Sequence, residues 1–125
     1  WTLWPDPALP EGGPLVLRLS YGTASVLLAG DATSLVEEAL VARTGHDLAS
    51  SVLLLPRHGA KTSTTPAFLE ATAPHIVVIS AGESEHHPAP AVLARVMDLP
   101  LYRTDEDGTI ELVFNGARVE IRVYR

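Results

Sequence analysis

The chain has 125 residues, 46% hydrophobic and 19% charged, which is enough for one domain with its own core and excludes a disordered segment. Its formal net charge of −6 argues against tight electrostatic capture of a nucleic-acid backbone by these residues alone, because such binding rests on Lys and Arg neutralising phosphates. The absence of cysteine rules out disulfides and thiolate metal sites, and no apolar run approaches the roughly 20 residues that cross a bilayer.

The chain opens on Trp1 with no basic stretch behind it, so it has no recognisable signal peptide and reads as a piece of something longer. A Pro-rich lead-in, residues 1–14, is expected to be poorly anchored. Leu15 to Tyr21 and Ala24 to Ala29 are apolar runs around Gly22-Thr23, which predicts two strands joined by a tight turn. Thr33 or Ser34 can cap the next segment, where Leu35, Val36, Ala39, Leu40 and Val41 recur at helical spacing until Gly45 ends it. Val52 to Leu55 is short, continuous and apolar, as a strand covered on both faces should be.

Thr65-Pro66 opens a second helix running to Ala73, since Pro suits the first helical position. Ile76 to Ser80 is another buried strand, Pro90 starts a third helix through Met97, and Leu101-Tyr102 is extended. The acidic run Thr104 to Gly108 lacks the ligand array of a calcium loop and predicts a turn. Thr109 to Phe114 and Arg118 to Tyr124 flank Asn115-Gly116, the strongest short hairpin signal in the chain. The resulting order, β-β-α-β-α-β-α-β-β-β, is that of an α/β fold with a mixed sheet and about three helices, one unit over residues 1–125.

Two of the apolar runs end in chemistry. Asp31 closes the run that starts at Ser25, and His58 closes the run that starts at Val52. Neighbouring strands would bring this carboxylate and this imidazole to one sheet edge, where zinc or manganese accepts both. Gly30 and Gly59, beside them, let the backbone turn sharply away. The plain alternative for a lone Gly-Asp is a turn residue or helix cap. Arg57 reads either as a phosphate contact or as a solvated loop side chain.

Lys61, Thr62, Ser63 and Thr64 lead into the helix at Pro66. Hydroxyls, an ammonium and the N–H groups of a helix start make an anion seat there, unless the loop is an ordinary cap. His87 is placed to polarise a phosphate oxygen or act as general acid, although with His86 it also reads as a solvated loop pair. His46 and His75 read as surface or helix-end residues. Trp1, Trp4 and Tyr21 make no regular stacking platform for a single strand.

Taken in order, Ala29-Gly30-Asp31, Arg57-His58-Gly59-Ala60-Lys61-Thr62-Ser63 and His87-Pro88-Ala89-Pro90 form a string that resembles the C-terminal part of the metallo-β-lactamase-like domain of DNA internalization competence proteins of the ComEC family. The buried strand to Gly82 and the stretch Tyr102 to Ile110 belong to the same string, and the resemblance runs from about Leu15 to about Ile121. The family usually shows Thr-Gly-Asp for the first motif, His-His-Gly-Ser-Lys-Thr-Ser for the second and His-Pro-His-Pro for the third. Arg57 therefore stands where a further histidine is usual, and Ala60 and Ala89 replace a serine and a histidine. The His-x-His-x-Asp-His motif that opens the metal site in this fold belongs upstream of residue 1.

The resemblance implies the C-terminal half of an αββα sandwich, with the upstream half of the same domain as its partner. It implies Asp31 as a carboxylate that can bridge two ions, His58 as a ligand to one of them, and His87 as a further catalytic residue. Arg57, Lys61, Thr62 and Ser63 would bind phosphate. The complete domain would hold two divalent ions, zinc or manganese, and this segment alone would hold metal poorly or not at all. The implied activity is a metal-dependent, nuclease-like phosphodiester hydrolase that degrades the DNA strand not taken into the cell during transformation. Single-stranded DNA and the membrane channel region of the parent protein would be its partners. The segment itself would not insert in the membrane but form an extracytoplasmic, soluble domain of a bacterial membrane protein.

With the upstream half absent, one face of the sheet is expected to leave Leu and Val exposed. Two other functions stay open at the level of sequence. A catalytically silent, metal-poor domain that positions protein or DNA is suggested by Arg57, Ala60 and Ala89 together with the missing first motif. A hydrolase of the same fold acting on a small ester or phosphodiester suits the net charge of −6.

Overall fold

The computed structural model describes residues 2–4 and 13–125. Strands β1 (Thr2–Trp4), β2 (Val16–Tyr21), β3 (Ala24–Leu28), β4 (Val52–Leu54), β5 (Ile76–Ile79) and β6 (Leu101–Arg103) form a six-stranded sheet in that order. β1, β2 and β3 pair antiparallel, and β3 to β6 pair parallel. Each parallel step passes through a helix: α1 (Ser34–Thr44), α2 (Pro66–Thr72) and α3 (Pro90–Val96). Such crossovers are right-handed, and the strand order does not reverse after β3, so all three helices pack on the same face. Leu40, Phe68, Val92 and Val96 from these helices bury against Leu27, Leu53, Val77 and Ile79 of the sheet.

This is the mixed α/β sheet that the alternation of runs predicts. A short helical turn, α4 (Thr104–Asp107), stands where a simple turn was expected. The acidic side chains of that turn are held by ion pairs, Asp105 and Glu106 to Arg103 and Asp107 to Arg125. The lead-in contributes an edge strand, with Thr2 and Trp4 paired to Leu17 and Val16. The rest of the expected loose lead-in, residues 1 and 5–12, lies outside the described residues. Among the described residues no helix is long and apolar enough to cross a membrane.

α2 shows its sequence signals at work. The Thr65 hydroxyl accepts from the Phe68 N–H at 3.2 Å, Pro66 follows at the first position, and Ala73 closes the helix in the left-handed region. α1 departs from expectation on its buried side. Leu35, read as part of the apolar stripe, is 74% exposed, whereas Glu37 is fully buried. Val36, Leu40 and Val41 pack on the core as the stripe implies, and Glu37 takes the buried place that Leu35 was expected to fill.

The second face of the sheet corrects the expectation of a bare apolar surface. Strand residues alternate between faces, and Val26, Val52 and Val78 point away from the helices. A hairpin of β7 (Thr109–Phe114) and β8 (Val119–Tyr124) lies over them and packs Ile110, Leu112, Phe114 and Val119 onto that face. The cover stops short of β2, where Leu19, directly across from Val26, is 49% exposed and Tyr21 is 62% exposed.

Two tight turns hold the hairpin in place. The Thr23 N–H donates to the Gly116 carbonyl at 2.8 Å, and the Thr23 hydroxyl reaches the carbonyls of Gly116 and Ala117. Gly22 has φ +61, and a Cβ on it would overlap the Gly116 carbonyl. Only glycine fits this approach.

Candidate active site

The carboxyl ends of the parallel strands β3, β4 and β5 share one edge of the sheet, the position where open α/β sheets place their ligands. β3 is followed by the turn Ala29 to Ala32, closed by an N–H···O bond of 3.1 Å, which presents Asp31. β4 is followed by the turn Pro56–Gly59, which presents Arg57 and His58. The Arg57 N–H donates to the Gly30 carbonyl at 2.9 Å and ties the two turns together. Asp31, Arg57, His58 and His87 line one open cleft of about 250 Å³. The carboxylate and the imidazole lie on the same edge, as their strand-end positions predict.

Asp31 lies three residues before the first residue of α1, so the helix-cap alternative drops out and the turn position remains. Among the described residues its carboxylate has no hydrogen bond or ion pair, and the same holds for the side chains of Arg57, Lys61 and His87. Among the described residues five other arginines bond internally: Arg18 donates to Ala49, Arg95 to Thr64, and Arg103, Arg122 and Arg125 pair with carboxylates. The polar side chains of the cleft are thus left available to a ligand.

His58 is oriented by the backbone on both sides. Arg57 and His58 sit at φ 51 and 56, a left-handed conformation that costs a non-glycine residue on the order of 1 kcal/mol or more and collects at functional sites. Gly59 continues at φ +80, and a Cβ there would come within 2.7 Å of Pro88 Cβ. The loop carrying His87 docks on this bare glycine, with the Ala89 N–H donating to the Gly59 carbonyl at 2.9 Å. His58 Nδ1 lies 2.6 Å from the Ser80 carbonyl oxygen at the end of β5. A carbonyl only accepts, so Nδ1 carries the proton and Nε2 presents its lone pair. This carbonyl–imidazole arrangement is how a ligating histidine is commonly fixed in its tautomer. The Ser80 contact was not legible in the sequence, because a backbone carbonyl carries no residue signature.

The loop after His58 is built differently from the expected anion seat. Ser63 is buried and donates its hydroxyl to the Ala32 carbonyl at 2.7 Å. The N–H groups of Thr64 and Thr65 donate to Glu37 Oε2 and Oε1 at 2.5 and 2.7 Å. The start of α2 therefore already holds an anion, the buried Glu37 carboxylate, and Arg95 closes the cluster by donating to the Thr64 carbonyl at 2.9 Å. Burial pushes the Glu37 carboxyl above its ordinary value, against the lowering effect of the Thr64 and Thr65 donors and of Arg95. Ser63 and Thr64 are structural here. Lys61 and Thr62 remain exposed and line an adjoining cleft with Arg57, His86 and His87. The sequence signal for Glu37 was its place one turn before Leu40 and Val41, on the face those residues bury.

The donor set suits part of a metal shell. An exposed carboxylate and an imidazole with a free Nε2 at one cleft are two ligands of the kind zinc and manganese take. Among the described residues no group of three His, Cys, Asp or Glu side chains is close enough to hold an ion. His87 lines the cleft without completing such a group.

No family model matches the chain. Over 122 residues it is 37% identical to Competence protein ComA of Neisseria gonorrhoeae, covering 92% of this chain and 18% of that protein. Over 124 residues it is 32% identical to ComE operon protein 3 of Bacillus subtilis strain 168, covering 96% of this chain and 16% of that protein. The chain thus spans less than a fifth of the length of these curated relatives.

Proposed function

We propose that this chain is the C-terminal part of a metal-dependent phosphodiester hydrolase domain in a ComEC-type DNA uptake protein, acting on the DNA strand that does not enter the cell. The observation that carries the reading is the meeting of Asp31, His58, His87 and Arg57 in one cleft at the carboxyl edge of the parallel strands. The competence names of two relatives similar over most of the chain support the wider context. In this reading the site belongs to a metallo-β-lactamase-like domain, whose upstream half would bring the remaining ligands.

Divalent ions bound there would polarise the phosphate and lower the pKa of a water, which is the chemistry phosphodiester hydrolysis needs at neutral pH. Asp31 supplies the negative charge and the oxygens that hold such ions. His58 offers Nε2, with its ring fixed through Nδ1 by the Ser80 carbonyl. The Arg57 guanidinium lies beside them with its donors free and is suited to the non-bridging phosphate oxygens. His87, on the same cleft, is placed to give a proton to the leaving oxygen.

The test is hydrolysis of single-stranded DNA in the presence of manganese or zinc by a longer polypeptide that carries this chain and its upstream segment. Asp31→Asn keeps the shape and removes the charge. Hydrolysis should fall by about 10²-fold or more, the scale for losing one electrostatic group at a reacting centre. Thermal unfolding should stay unchanged, because the carboxylate has no partner to lose. Full activity in the variant would return Asp31 to a plain turn residue.

A second reading, a catalytically silent domain that positions DNA or protein, rests on Arg57, Ala60 and Ala89 standing where the resembled motifs carry histidine, serine and histidine. That module would show no hydrolysis with any divalent ion, and Asp31→Asn would change nothing.

A further inference from the structure

Arg57 lines two clefts. One is the cleft of about 250 Å³ that holds Asp31 and His58, and the other is an adjoining space of about 430 Å³. That volume lies in the range of about 300–1,000 Å³ usual for ligand pockets. Lys61 and Thr62 form one wall of the second cleft, and Glu85 and His86 line it from the loop before Pro88. Ala89 borders it with a methyl group, which leaves the space open.

The charges in this cleft run against those of the molecule. Arg57 and Lys61 give +2 and Glu85 gives −1, a local sum of +1 in a chain whose net charge is −6. Among the described residues neither cation has an internal partner. A lysine and an arginine beside a threonine hydroxyl suit a phosphate. Glu85 repels an anion, so it confines the phosphate to the Lys61 wall and faces a group that donates hydrogen bonds, such as a base amino group or a sugar hydroxyl.

We propose that the adjoining cleft is a second phosphate subsite, in which Lys61, Thr62 and Arg57 hold the phosphodiester next to the one at Asp31 and His58. Arg57 bridges the two positions. The site then selects a nucleotide strand with consecutive phosphates over a small ester or a lone mononucleotide. This inference rests on the reading that the Asp31–His58 cleft receives a phosphodiester.

Binding of two thymidine oligomers to the 125-residue chain, in EDTA at low salt, tests the subsite apart from metal and turnover. One probe is the dinucleotide with a single phosphodiester, and the other is the trinucleotide with two. The trinucleotide should bind about tenfold more tightly, as expected when one charge-assisted contact is added. Lys61→Ala should reduce that ratio below about twofold, and Lys61→Glu should bring it to one or less. Arg118→Ala, which removes an exposed cation at the far edge, should leave the ratio as it is.

Equal affinity for the two probes, no binding of either at millimolar concentration, or the same loss from Arg118→Ala as from Lys61→Ala would overturn the proposal. A retained two-phosphate preference, in a protein whose longer form hydrolyses nothing with manganese or zinc, would support the subsite and sink the hydrolase reading.

Discussion

At the scale of single residues, the cleft is made by groups with different claims on the fold. Asp31 and His58 were legible because each ends an apolar run beside a glycine. That pattern names the strand and the edge to which the side chain comes. Ser63 was misread, since hydroxyls near a helix start look alike whether they face a ligand or the interior. Its bond to the Ala32 carbonyl is a tertiary contact with no local sequence sign. Glu37 was missed for the related reason that a buried carboxylate is rare unless paired, and its partners are backbone N–H groups 27 and 28 positions away. Burial raises the Glu37 carboxyl above 4.5, so the folded chain holds this proton more tightly than the unfolded chain does. Its contribution to stability is then fully present below 4.5 and is lost as pH rises through the raised value. Denaturant unfolding of the native chain and of Glu37→Gln should show the variant gaining on the native chain as pH rises from 4.5 through the raised value. A native chain that gains on the variant over that range would place the carboxyl below its ordinary value.

Whole elements were more legible than the contacts between them. The strands β2 to β6, the helices opened by Thr65-Pro66 and Pro90, and the Asn115-Gly116 hairpin all follow from local signals of period, cap and turn. The docking of the hairpin did not follow, because nothing in an alternating strand says which sheet its apolar side will cover. Here the choice is made by the two turns that meet at Gly22 and Gly116. Gly22→Ala puts a Cβ into the Gly116 carbonyl at a positive φ, and the hairpin must shift or undock. The cost should be about 1–3 kcal/mol, read as a lower unfolding midpoint. Amide exchange should rise at Val26, Val52 and Val78, which the hairpin covers. Unchanged exchange at these three strand residues would mean that the hairpin is held by its apolar face rather than by the turn.

The whole molecule is a helix layer, a mixed sheet and a hairpin, with its reactive side chains gathered at one sheet edge. The hairpin supplies the cover expected from an upstream half, so the open apolar surface of that sheet face shrinks to the neighbourhood of Leu19 and Tyr21. The cleft itself is less complete than the core. Two ligands cannot fill the four-coordinate shell that zinc prefers, so on the proposed function the upstream segment brings the rest of the shell. The most direct measurement is therefore metal content: mass-spectrometric counting of zinc and manganese bound to the longer polypeptide, with and without Asp31→Asn. Close to two ions per domain are expected, as a dinuclear hydrolase requires, with loss of at least one of them in the variant. A polypeptide that binds no ion, or one whose metal content is the same after Asp31→Asn, would contradict the proposed function.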